Sequence, residues 1–149
     1  MNKLNKLYSY PAIFYKEDDG GYSVIFSDLK GATTCGDNLQ EAIAMAIDCL
    51  AGYIHSMYVD GEEIPEPTEI NNLSENIIAD MLDDPQYNKS RVFVNIISVN
   101  VAEYAEKHFN KAVKKMVTIP GWMDDMVKTR KLKLSKILQD ALKEKLQAM

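Results

Sequence analysis

Residues 111–149, KAVKKMVTIPGWMDDMVKTRKLKLSKILQDALKEKLQAM, read as one short basic strand followed by two short amphipathic helices. A piece this small buries too little apolar surface to fold alone. Its strand and helices are therefore expected to find their partners in a second copy of the chain, so that function starts from a dimer.

Alternation along Lys111–Ile119 puts Val113, Lys115, Val117 and Ile119 on one face and Lys114, Met116 and Thr118 on the other. Val117 and Ile119 are expected at the dimer core. Paired with its copy, such a strand makes a two-stranded antiparallel ribbon that fits the DNA major groove, where Lys reaches guanine acceptors and Thr gives a small polar or methyl contact. Lys114, Met116 and Thr118 form the expected reading face, with Lys111 beside it. Met116 offers only apolar contact, and a one-residue slip would put Lys115 in its place. Pro120 sets the start of the first helix, with Trp122, Met123, Met126 and Val127 as its inward stripe. After the basic connection Lys128–Lys133, Ser135 or a neighbour is expected to cap the second helix, which turns Leu134, Leu138, Ala141, Leu142 and Leu146 inward. The free N–H groups at that helix start, with Lys133 and Lys136, suit a DNA phosphate. The order resembles the ribbon-helix-helix class of DNA-binding proteins. A tail that only dimerises would show the same apolar pattern; the basic excess at Lys111–Lys115 and Lys128–Lys136 favours DNA.

Charge divides the chain. The net charge of −5 is split into −11 over residues 1–90 and +6 over residues 91–149. An acidic front joined to a basic back suggests two partners of opposite charge. With 149 residues and 46% hydrophobic composition, the chain suits one moderate globular domain plus a dimerising tail. No apolar run reaches the ~20 residues that span a bilayer, and MNKLNKLYSYPAIF has no uninterrupted apolar core or small-residue cleavage site. A cytoplasmic protein with no membrane partner is expected. Cys35 and Cys49 have no metal spacing and are read as reduced, buried, small apolar side chains.

The front half carries a fold of its own. Tyr8–Tyr15 and Tyr22–Phe26, joined by the acidic glycine turn Glu17–Gly21, make a hairpin. After a second turn, Ser27–Gly31, residues Ala32–Gly36 supply a third antiparallel strand. Asp37 or Asn38 is a suitable N-cap, with Gln40 or Glu41 completing a capping box. Leu39, Ile43, Ala46, Ile47, Leu50, Ile54 and Met57 then mark one face of a long helix that Asp60 and Gly61 end. Asn71–Asp84 reads as a weak helix, Arg91–Val99 as the strongest strand in the chain, and Val101–Phe109 as a short helix or a linker. The expected class is α+β: an antiparallel sheet with a packed helix over residues 1–100, a linker over 101–110, and the strand–helix–helix module over 111–149.

The set Tyr10–Pro11, Asp18–Tyr22, Asp28–Gly31, Leu39–Ala42 and Asp60–Pro67 resembles the HicB antitoxin family over roughly the first 70 residues. Lys30 stands where the family's Asp-Leu-Pro-Gly turn has proline. The resemblance implies a partial RNase H-like domain that neutralises a small HicA-type RNA-cleaving toxin, in a protein that represses its own operon. Its partners would be the toxin, operator DNA, and further copies as a dimer or dimer of dimers. A stand-alone regulator whose front domain senses a ligand or another protein is the other reading. RNase H likeness also raises a metal-dependent nuclease, with Asp18, Asp19, Asp28 and Asp37 as candidate ligands. Three of these lie in turns beside glycine, where carboxylates bond local amides. His55 and His108 have no partner at metal or triad spacing and are read as helix-surface residues. No catalytic residue, metal or cofactor is expected.

Overall fold

The computed structural model describes residues 3–109 and 112–148. The chain divides into two compact units, residues 2–110 and 111–149. The first is a four-stranded antiparallel sheet in the order β3-β2-β1-β4, built from β1 (Leu7–Lys16), β2 (Tyr22–Ile25), β3 (Thr33–Gly36) and β4 (Val92–Asn100). Helices α1 (Leu39–Val59), α2 (Glu75–Leu82) and α3 (Val101–His108) complete it.

The unit holds together because β1 is apolar on both faces. Tyr8, Tyr10, Ala12 and Phe14 join Ile97 and Val99 of β4 and Val24 of β2 in one core with Ala42, Ala46, Leu50, Ala51 and Ile54 of α1. By itself α1 is long and apolar enough to cross a membrane, but that face is spent on the sheet. Strand alternation turns Pro11 and Ile13 to the opposite face, where they are buried. On α2, Ile78 is buried, and Met81 and Leu82 border a groove with Tyr15 and Ile25.

Pro11 sits in the middle of a central strand, where proline is ordinarily excluded. Ladder parity explains it. Glu17 N–H donates to the Gly21 carbonyl at 2.8 Å, continuing the β1–β2 register, so the odd-numbered residues of β1 bond toward β2. The last β1–β2 pair is Ile13 with Ile25. Pro11 therefore points its missing N–H past the end of β2, and no ladder bond is lost.

The caps resolve what the sequence left open. Asn38 caps α1, accepting from Glu41 N–H at 2.9 Å, while the Glu41 carboxylate accepts from Asp37 N–H at 2.7 Å. At the other end Glu62 N–H reaches Met57 O and Gly61 N–H reaches Tyr58 O, with Gly61 at φ 71°, the left-handed turn glycine accepts without strain. Gly36 serves a different need: a Cβ there would lie 2.3 Å from Ala42 N, so β3 passes against the start of α1 only without a side chain.

Several expectations need correction. Within the expected linker 101–110, the described residues form structure: α3 packs in the first unit, with Val101 buried and Tyr104 donating to Asp48 Oδ1 at 2.9 Å. Neither cysteine is fully buried, because Cys35 lies on the outer edge strand β3 and is exposed, while Cys49 is half-buried on the flank of α1. The weak helix shortens to Glu75–Leu82, since Ser74 caps it by accepting from Ile77 N–H.

In the second unit, α4 (Gly121–Thr129) and α5 (Leu134–Gln147) form as expected, with Pro120 as the N-cap of α4. The strand does not: residues 112–120 carry no strand in the single chain. A strand exists through its ladder, and the partner expected for this one is its own copy.

Candidate interaction surfaces

The second unit has no buried residue among those described. Of the stripes expected to face inward, Trp122, Met123 and Met126 of α4 and Leu134, Leu138, Ala141, Leu142 and Leu146 of α5 are exposed, Trp122 at 63%, and Val127 is half-buried. Ile137 and Leu132 extend the same apolar surface. Two amphipathic helices of 9 and 14 residues do not leave so much apolar area in water unless something covers it.

The candidate DNA-contacting side chains lie on this unit. Lys114, Lys115, Met116 and Thr118 are exposed, Met116 at 100%. Lys111 lies outside the described residues. Ser135 does not cap α5, because the helix starts at Leu134 and Lys133 is its N-cap, without a side-chain cap bond. The amides of its first turn are thus left unsatisfied by any cap, and that turn holds no acidic residue. Lys136 pairs with Asp140 at 2.7 Å, one turn on, and Lys128 with Asp124 at 2.9 Å. Exposed pairs of this kind contribute only about 0.3–0.5 kcal/mol, so a phosphate can draw Lys136 away.

The first unit presents acid. Glu17, Asp18, Asp19 and Asp37 border one groove at the hairpin end of the sheet, together with Tyr22 and Cys35. The carboxylates weighed as metal ligands are dispersed into separate bonds. Asp18 pairs with Arg91 at 2.6 Å, Asp19 accepts from Gly21 N–H at 2.8 Å, and Asp28 accepts from both the N–H and the hydroxyl of Thr68. Among the described residues no group of three or more potential ligands is placed to hold a metal ion.

A second feature had no sequence signal strong enough to find it. The acidic connection after α1 is a strap pinned at two points. The Tyr10 hydroxyl donates to the Pro65 carbonyl, and Asp28 holds Thr68. Burial, reinforced by the nearby Glu66, Tyr8 and Asp28, pushes the Tyr10 phenol up to about 12. Burial and the bond to Asp48 do the same for Tyr104, also to about 12. Both phenols are held neutral as donors.

An acidic sheet-and-helix unit and a basic unit with an uncovered apolar face describe a protein organised for association. Comparison with known proteins names the family. A family model described as HicB_like antitoxin of bacterial toxin-antitoxin system matches residues 10–142, and the chain belongs to that family. The match runs well beyond the first 70 residues that carried the resemblance in sequence, and includes most of the second unit. Antitoxin HicB 1 of Photorhabdus laumondii is 40% identical over 58 residues, which cover 39% of this chain and 37% of that protein. Antitoxin HicB of Escherichia coli K12 is 35% identical over 63 residues, 42% of this chain and 46% of that one. The chain thus matches less than half the length of these curated relatives. Among solved structures, a toxin-antitoxin complex from Streptococcus pneumoniae contains a chain 31% identical, with a TM-score of 0.59, covering 94% of this chain and 99% of that one. The Burkholderia pseudomallei antitoxin HicB shares the fold at 20% identity, with a TM-score of 0.50 over 91% of this chain and 96% of that one.

Proposed function

We propose that this protein is an antitoxin that binds and neutralises a small basic HicA-like toxin through its acidic first unit and represses its own operon through a dimer of its second. The observation that carries the reading is the family match across both units, reinforced by the likeness, over 94% of the chain, to a chain of a toxin-antitoxin complex. Charge segregation supports it. The front carries −11, the sign that attracts a protein made to bind RNA, and the back carries +6, the sign that attracts DNA. Catalysis belongs to the toxin, and the site of action is the cytoplasm.

On DNA, two copies pair residues 111–119 as a ribbon in the major groove, with Lys114, Met116 and Thr118 toward the bases. The uncapped start of α5, with Lys133, Ser135 and Lys136, holds a backbone phosphate. The second copy covers Trp122, Leu138 and Leu142, which supports the dimer because these are the residues left in water in the single chain. The partial RNase H-like unit acts as a toxin-binding surface.

The test is co-expression of this chain with the adjacent reading frame, followed by pull-down and a growth assay of that frame alone. A small basic protein that co-purifies and arrests growth without this chain is the expected result. A harmless neighbour that does not co-purify would leave a stand-alone regulator in place of an antitoxin.

A further inference from the structure

We infer that the groove between α2 and the β1–β2 hairpin receives the side chain of one arginine of the toxin. The inference rests on the antitoxin reading for the toxin, and on the groove itself for the arginine. The groove has a volume of about 290 Å³, just under the ~300–1,000 Å³ of ordinary small-molecule sites, and suits one long side chain. Tyr15 and Tyr87 give it two rings, and Ile25, Met81 and Leu82 give it an apolar surface. Among the described residues neither ring stacks on another. Glu17 and Asp84 supply its charge, and each is held in place through one oxygen by a neutral donor. The Ser23 hydroxyl donates to Glu17 Oε1 at 2.6 Å, and Gln86 N–H donates to Asp84 Oδ1 at 2.9 Å.

Among the described residues no cation pairs with either carboxylate. Lys16 follows Tyr15 in β1, and alternation turns it to the other face of the sheet, while Lys89 and Arg91 are spent on Glu75 and Asp18. The end of α2 adds to the deficit. A helix C-terminus carries partial negative charge and favours a cation, yet the last turn of α2 has no basic residue, and Asp80, Asp83 and Asp84 gather there. A cation from another molecule therefore fits this groove, and arginine fits it better than lysine. Its stem packs on the apolar residues, its flat guanidinium stacks on an aromatic ring, and its N–H groups reach the carboxylates, whereas the ammonium of lysine is compact and strongly hydrated. The same charge excludes nucleic acid.

The first experiment titrates Nα-acetyl-argininamide into the full chain and reads the side-chain NMR signals of Tyr15, Met81 and Tyr87. Saturable shifts at all three are expected, with Nα-acetyl-norleucinamide giving none. Glu17→Gln with Asp84→Asn keeps both neutral hydrogen bonds and removes the charge, so it should weaken binding of the probe at least tenfold and leave the urea midpoint in place. No saturable shift in the wild type, or an equal one from norleucinamide, overturns the inference. The second experiment titrates the product of the adjacent reading frame into the wild type and the double variant by calorimetry. Affinity at least tenfold lower in the variant is expected, with operator binding unchanged. Equal affinity for the two overturns the arginine groove and leaves the antitoxin reading standing. A neighbour that binds neither overturns the antitoxin reading, and the toxin's arginine with it.

Discussion

The two units use similar proportions of apolar residues to opposite ends. In residues 3–109 the strand and helix faces close on one another, leaving Ala12, Ile13, Phe14, Leu50 and Ile54 without solvent contact. In residues 112–148 the apolar faces are as regular, yet no described residue is buried. The difference shows that amphipathic pattern reports where a surface is to be covered and leaves open which chain covers it. The sheet supplies its own cover because β1 is flanked on both sides; the tail has only two short helices and a strand without a ladder.

The first unit is most vulnerable where β3 passes against α1. Gly36→Ala puts a methyl group against the backbone of Ala42, and should cost about 3 kcal/mol, read as a fall in the urea midpoint of the first unit. The second unit should keep its self-association. An equally large effect of opposite location is expected from Leu138→Asp, which sets a carboxylate in the face proposed to be covered by a second copy. Analytical ultracentrifugation should show loss of the dimer and of operator binding, while the urea transition of the first unit stays in place.

Smaller effects are expected at the basic segment and at the strap. Lys114→Ala should reduce the slope of log operator affinity against log salt by about 0.9, with toxin binding unaltered in titration calorimetry. A slope that does not change would remove Lys114 from the phosphate-and-base contacts. Tyr10→Phe should cost about 1 kcal/mol by freeing the strap at Pro65. Because the folded phenol is raised from 10.0 to about 12, its contribution is complete below pH 10 and is lost as pH rises to about 12. Alkaline destabilisation of the first unit over that window should therefore be weaker in Tyr10→Phe, which keeps the contributions of Tyr8, Tyr104 and Cys49, all raised by burial.

Much of the first unit was legible because its signals are local. The acidic glycine hairpin, the Asn38–Glu41 cap and the three- and four-residue spacing of α1 each depend on neighbours in sequence. Less legible was anything decided at long range. Proline in a central strand reads as an objection until the register shows which side its nitrogen faces, and Gly36 reads as a strand end until α1 is seen to cross it. The Asp28–Thr68 bond spans 40 positions and has no pattern to announce it. In the tail, Ser135 is a residue type that caps helices, but α5 begins at Leu134, which places Ser135 inside the first turn.

The first unit folds on contacts within one copy, and the second is proposed to require another. Amide exchange of the full chain at two protein concentrations, well above and well below the dimer dissociation constant, tests it most directly. Protection in α1 is expected to be the same at both, while protection in α4 and α5 collapses on dilution. Protection in α4 and α5 that is independent of concentration would contradict it.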